Sequence, residues 1–190
     1  MFIIKFIVIE GLDGSGKTTQ ANKLYEYYNN HYDKVVLRAH PNSDNKYGQK
    51  SKEALLKTGK FNHFKATLYF GLDAIRSIRL YAHRDDIDVL IFSRYILAVA
   101  YLPDLISVLI YKIVYTILPV SENMFFLDLS PEESLKRLNN RGEEVEMFEN
   151  REALIIARRK AHKVLDKWHV IDGTKHQDII TTEIIKTIEE

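Results

Sequence analysis

A chain of 190 residues, 46% apolar and 28% charged, is long enough to bury a core and too apolar to be disordered. Its net charge of +1 carries no general attraction for polyanions, which argues against nucleic acid as a partner. With no cysteine, it has no disulfide, no thiolate nucleophile and no zinc site built on Cys ligands.

In chain order, residues 2–9 form a near-continuous apolar run, the pattern of a central parallel strand covered on both faces. The run is too short for a signal peptide and leads straight into a glycine-rich segment, so a cytoplasmic protein is expected. That segment is Gly11-Leu12-Asp13-Gly14-Ser15-Gly16-Lys17-Thr18, followed by Thr19. It has the form G-x-x-x-x-G-K-T, with a strand before it and a helix after it. Glycines let the backbone turn back and bring bare N–H groups against phosphate oxygens. The next helix aims its N-terminal amides at the same anion. Lys17 adds a cation for the outer phosphates, and the Thr18 hydroxyl is a ligand for Mg²⁺. Residues 11–19 therefore read as a site for a nucleotide's phosphates.

Helix 18–30 follows, with Ala21, Leu24, Tyr25 and Tyr28 on one stripe. Residues 34–38 are a second strand, 40–44 a loop, 46–57 a helix ending at Gly59, and 61–83 a longer helix. The third strand, 88–92, ends at Ser93-Arg94-Tyr95. Helical pieces 95–101 and 104–118 are split by Pro103. The fourth strand is 124–129, and Ser130-Pro131-Glu132-Glu133 opens the next helix as a capping box. Residues 141–150 form a charged loop, 151–167 a helix, 168–171 the last strand and 177–189 the closing helix. The alternation predicts one α/β domain, residues 1–190, with a parallel sheet wrapped on both faces. Ligands in such folds sit at the carboxyl ends of the strands. Residues 11–18, 38–41, Ser93-Arg94 and Asp128 should therefore converge on one cleft.

Helix 61–83 places Phe61, Phe64, Leu68, Leu72 and Ile75 on one stripe. Phe70 lies on the opposite face, among Ala66, Asp73, Ala74 and Ser77. A ring on a face of small residues is either a platform for a flat ligand or a side chain packed under a neighbouring helix. Arg94, closing a buried strand, either grips phosphate at the cleft or forms an ion pair with Asp73 or Asp85. Arg137, Arg141 and Arg151 surround loop 141–150. They either serve a lid over a phosphate site or pair with Glu143, Glu144 and Glu146 in solvent. His40, His162 and His176 lack metal-ligand spacing and read as structural or surface positions. The most apolar later stretch, 105–118, carries Lys112 and is too short to span a bilayer, so no membrane partner is expected.

Several segments resemble the thymidylate kinase family of phosphate-loop nucleoside monophosphate kinases. FIVIEGLDGSGKTTQ is very close to that family's opening. FFLDLSPEESLKRLNNRG resembles its run before the lid, and FEN followed by RRKAHKVL the segment after it. LYFGLDAIR and SRYILAVAY are similar to its base-stacking helix and its monophosphate segment. The resemblance implies a five-stranded sheet of order 2-3-1-4-5 in a three-layer sandwich. It implies transfer of the ATP γ-phosphate, with Mg²⁺, to a deoxynucleoside 5′-monophosphate, dTMP first. It also implies Phe70 stacked on the base, Arg94 and Tyr101 in the monophosphate pocket, and Asp13 at the acceptor sugar. Lys17, Arg94, Arg141 and Asp13 would carry the catalysis.

The departures have consequences. Ser93 stands where the family has Asp, Ala74 where it usually has Arg, and Ala39-His40-Pro41 where it has Arg-Glu-Pro. Gly14 stands where some members carry a catalytic Arg, which leaves that duty to the lid and so to Arg141. These changes touch base recognition more than ATP binding, and relaxed base choice is expected. A homodimer is also expected through helix 104–118, which is apolar nearly all round. A nucleoside kinase acting on a free 5′-hydroxyl, or a weakly catalytic nucleotide-binding homologue, are the alternatives.

Overall fold

The computed structural model describes residues 5–82, 84–102, 104–142, 146 and 149–190, with side chains omitted at 60, 101 and 104–106. Strands β1 (Lys5–Gly11), β2 (Val35–Ala39), β3 (Val89–Ser93), β4 (Asn123–Asp128) and β5 (His169–Asp172) form one parallel sheet. Their order is β2-β3-β1-β4-β5, as the family resemblance implies. Between them lie α1 (Lys17–Asn29), α2 (Lys46–Leu55), α3 (Lys60–Tyr81), α4 (Asp104–Ile117), α5 (Pro131–Asn139), α6 (Arg151–Ala161) and α7 (Gln177–Glu189).

β1 is central and its apolar run is buried on both sides. Successive strand residues point to opposite faces. Phe6 and Val8 join one core with Ala74 and Ile78 of α3, Tyr111 of α4, Phe92, Phe126 and Trp168. Ile7 and Ile9 join the other with Leu24 and Tyr28 of α1 and Ile180 and Ile184 of α7. Among the described residues, side chains cap four helices: Asn45 at α2, Ser130 at α5 with Pro131 in its first turn, Asn150 at α6 and His176 at α7.

Two expected helices take other forms. Segment 95–101 is a 3-10 helix over Ile96–Tyr101, because the Tyr95 and Leu97 amides donate to the Glu10 carboxylate at 2.5 and 3.1 Å. The helix expected over 151–167 stops at Ala161. There the chain turns tightly, which drops Leu165 and Trp168 into the core, where the Trp168 indole N–H donates to the Tyr111 hydroxyl at 2.9 Å.

α3 shows what periodicity leaves open. Its apolar stripe faces outward: Phe61 is 68% and Phe64 63% exposed, with Leu68 and Ile75 also exposed. The small and polar face, Ala66, Asp73, Ala74 and Ser77, is the buried one. Close approach explains the choice, since Ser51 of α2 donates to the Ala66 carbonyl at 2.9 Å. α4 buries Tyr111 and leaves Leu109, Ile113 and Ile117 exposed. Among the described residues, no helix is long and apolar enough to cross a membrane.

Candidate active site

The turn from β1 into α1 is a tight loop with Gly11, Gly14 and Gly16 at φ 151°, 80° and 94°. A Cβ at Gly14 would stand 2.8 Å from the Ser134 carbonyl oxygen, so α5 packs against bare backbone there. This gives a physical reason for the missing loop arginine, because a side chain at position 14 meets α5. The Lys17 ammonium curls back over the loop. It donates to the Gly11 and Leu12 carbonyls at 3.0 and 2.7 Å and to Asp13 Oδ1 at 3.3 Å. Burial pushes its pKa down to about 8, against the opposing pull of Asp13. The Ser15 side chain is buried and lines neither of the recesses described next, while its amide donates to the Leu12 carbonyl at 3.0 Å.

Two recesses of about 430 Å³ each open beside the loop. One is lined by Gly14, Gly16, Lys17, Thr18 and Thr19 together with Arg94, Arg137 and Arg141. The other runs from Gly11, Leu12 and Asp13 past His40 and Pro41 to Phe70 on α3. Lys17, Thr18 and Arg94 line both and form the seam between them.

Arg94 sits just past β3 with φ 61°, a left-handed conformation that is uncommon for a side chain of its size. Its Nη2 donates to Asp13 Oδ1 at 2.9 Å, so its acidic neighbour is Asp13 and not Asp73 or Asp85. Asp13 therefore stands between two cations, Lys17 and Arg94. Phe70 is half-buried, lines the second recess and packs edge-on to the His40 ring at 6.1 Å. Ala74 does not face the cleft. It is buried in the core with Ile78 and Phe92, while Arg76 lies 3.6 Å from Asp44. The Tyr101 side chain falls outside the described residues.

Not every strand end reaches the cleft. Asp128 is held by Arg158 in two bonds of 2.8 Å and by His162 at 3.2 Å, because α6 passes over the end of β4. Arg38 is buried in a two-bond pair with Asp44 at 2.7 and 3.1 Å, which leaves Ala39, His40 and Pro41 as the contribution of β2. Beside loop 141–150, Arg141 reaches the loop recess, and its Nη2 donates to Glu149 at 2.9 Å. Arg137 lies beside it, held by Glu133 at 3.2 Å. Arg151 instead meets Glu132 at the surface, 3.0 Å away. Glu146 lines the cleft, its carboxyl pushed up in pKa by burial and by the charge of Asp13. Glu143 and Glu144 fall outside the described residues.

Sequence reasoning missed Glu10. It is buried at the end of β1 and lines the cleft, its pKa raised by burial against the bonds from Tyr95 and Leu97. The available signal was an acid closing an apolar strand, in FIVIE. His162 and His176 are helix-end residues beside Asp128 and Asp178, in keeping with a structural role. His40 is fully buried against the cleft.

A parallel 2-3-1-4-5 sheet, a phosphate loop and a seam of cations between two recesses define a phosphate-loop nucleotide kinase. The family model for thymidylate kinase matches residues 9–184, and the chain belongs to that family. It is an enzyme of the nucleoside monophosphate kinase class. It is 30% identical to a probable thymidylate kinase of Methanococcus aeolicus over 188 residues, covering 98% of this chain and 91% of that one. It is 31% identical to the thymidylate kinase of Leptospira interrogans, covering 95% and 92%. In structure it resembles the thymidylate kinase of Candida albicans, with a TM-score of 0.76 at 24% identity over 97% of this chain and 90% of that one. It also resembles the deoxyadenosine kinase of M. mycoides, with a TM-score of 0.68 at 16% identity over 98% and 100%. These two likenesses speak to the fold.

Proposed function

We propose that this chain transfers the γ-phosphoryl group of ATP to the 5′-phosphate of dTMP, giving ADP and dTDP, and tolerates other deoxynucleoside monophosphates. The observation that carries this is the seam: Lys17, Thr18 and Arg94 line both recesses, so a donor and an acceptor phosphate meet over the same cations. Phosphoryl transfer asks little covalent work of a protein, and positioning and charge neutralisation do most of it.

The loop amides and Lys17 hold the ATP phosphates, with Lys17 leaving its carbonyl partners for them. Arg94 holds the acceptor phosphate, which otherwise repels the donor. Phe70 stacks on the base, and Asp13 accepts a hydrogen bond from the acceptor sugar. Arg141 approaches the transferred group when the lid at 141–150 closes, which excludes water and limits ATP hydrolysis. Two oxygen donors that line the second recess fit Mg²⁺, the Thr18 hydroxyl and the Asp13 carboxylate. Thr18 would hold the ion with the phosphates, where it neutralises their developing charge. The recess of Phe70 is lined by Ala66, Thr67, Leu97 and Ala98 together with Asn42, Ser43, Ser51 and Lys52, and none of these is an arginine, which supports relaxed base choice.

The same reading includes one catalytic domain acting in the cytoplasm, where ATP is available, and a homodimer. The exposed face of α4, Leu109, Ile113 and Ile117, supports the dimer, and the outward stripe of α3 is a second exposed apolar face.

The test offers purified protein Mg·ATP with dTMP, dUMP, other monophosphates or free nucleosides, and measures ADP. Acceptor-dependent ADP with dTMP and, more slowly, with other monophosphates is the expected result. Activity on nucleosides alone overturns the reaction, and activity on dTMP alone overturns the relaxed base choice.

A further inference from the structure

We propose that His40 is a positioning residue: a neutral imidazole protonated on Nδ1 that clamps the Arg94 carbonyl and braces Phe70, joining both ends of the acceptor pocket. The role rests on the reading of Arg94 and Phe70 above.

The donor directions assign the ring. Arg38 only donates, and its Nε donates to the Ser77 hydroxyl oxygen at 3.3 Å. The Arg94 carbonyl only accepts, and it lies 2.9 Å from His40 Nδ1, so Nδ1 carries a proton. Between these ends, Ser77 Oγ and His40 Nε2 lie 2.8 Å apart. With the ring neutral and its proton on Nδ1, Nε2 is the acceptor, so the Ser77 hydroxyl, which accepts from Arg38, donates its own proton to Nε2. Arg38, Ser77, His40 and Arg94 then form one directional chain with every buried donor satisfied. A protonated Nε2 breaks it, because the Ser77 proton would be left buried without an acceptor. Burial lowers the His40 pKa and Arg38 adds to the lowering, while the Arg94 carbonyl bond and Asp73 oppose it.

The clamp holds a strained point. Arg94 has φ 61°, a conformation that a non-glycine residue keeps only when its surroundings impose it. His40 grips both flanks: its backbone N–H donates to the Ser93 carbonyl at 2.9 Å and its ring N–H to the Arg94 carbonyl. The other side of the ring packs edge-on against Phe70 at 6.1 Å and Phe92 at 5.0 Å. One side chain thus touches the phosphate clamp and the base platform. The loop that follows His40 is anchored by fully buried Asp73, which accepts from the Asn42 amide and the Asn45 side chain, each at 2.7 Å. Loop 40–45 and α3 are locked together in this way.

Two measurements test this. Ring ¹⁵N NMR at neutral pH, with the signal identified by its loss in His40→Asn, is expected to show the neutral Nδ1–H tautomer. An Nε2–H tautomer or an imidazolium overturns the proposal. In kinetics, His40→Leu keeps apolar bulk but loses the donor, and is expected to raise the acceptor KM roughly tenfold with the ATP KM within about twofold. His40→Asn places an amide nitrogen where Nδ1 stands and recovers most of the loss. Equal behaviour of Leu and Asn, or a parallel rise in ATP KM, overturns the proposal. Should the Leu variant not fold, the Asn variant and the ring tautomer still decide. A wild-type protein inactive on every monophosphate would remove the kinase reading, and the tautomer would still decide the clamp.

Discussion

Arg94 and Asp13, 81 positions apart, meet at 2.9 Å where the end of β3 touches the phosphate loop. The pair places a guanidinium at the seam of the two recesses while its backbone is held left-handed, at φ 61°. Arg94→Ala and Arg94→Gly both remove the guanidinium, and both are expected to lower kcat/KM for the acceptor by about 10³. They differ in stability. Glycine adopts this backbone without a Cβ penalty, so the Gly variant should exceed the Ala variant by about 1 kcal/mol in thermal or denaturant unfolding. Equal stabilities would show that the strain is absent.

Lys17 should give the nucleotide-free protein an alkaline rise in stability. Its pKa is pushed down to about 8 in the fold, against 10.5 ordinarily. Below the folded value, both states bind the proton and the cost of a buried cation is fully present. Between the two values the unfolded chain keeps a proton that the folded one has lost, so stability increases with pH. A gain of roughly 1–3 kcal/mol across that window is expected in denaturant titrations. Lys17→Met should flatten the rise, stabilise the apo protein at neutral pH and abolish phosphoryl transfer. Saturating Mg·ATP should remove the rise from the wild type, because the phosphates favour the charged amine.

The lid arginine is expected to act on rate. Arg141 lines the loop recess and is tied to Glu149 at 2.9 Å. Arg141→Ala should lower kcat by about 10²–10³ with little change in ATP KM, since the loop and Lys17 do the ground-state binding. Arg137→Ala should cost far less, its guanidinium being held by Glu133 at 3.2 Å. Steady-state kinetics of both variants decides. Equal losses would assign the two arginines the same duty.

Two exposed apolar faces compete for the dimer contact. Ile113→Glu on α4 and Phe64→Glu on α3 each place a charge on one of them. Sedimentation at micromolar concentration should show dimer for the wild type and monomer for the variant on the face that is used. A wild-type monomer would remove the dimer altogether.

The strand and helix order and the phosphate loop were legible beforehand, because each rests on residues close together in the chain. Phe70 announced itself as a ring on a face of small side chains. Asp128 did not announce that Arg158 would take it, since that pairing depends on α6 crossing the end of β4, 30 positions later. Glu10 was hidden inside an apolar strand, its reason being two amides 85 and 87 positions away. Ala74 read as a lost contact at the base, while in the fold it belongs to the core.

The sequence by itself determined the alternation of strands and helices and the position of the phosphate loop, for period and glycine placement are local properties. Only the tertiary structure decided that the apolar stripe of α3 faces outward, that Arg94 reaches Asp13, and that His40 is buried between Arg94 and Ser77. A helical stripe carries no sign for inside or outside, and a charge or an imidazole takes whichever partner the sheet brings near. Those partners come from distant positions, and close packing, not spacing along the chain, chose them.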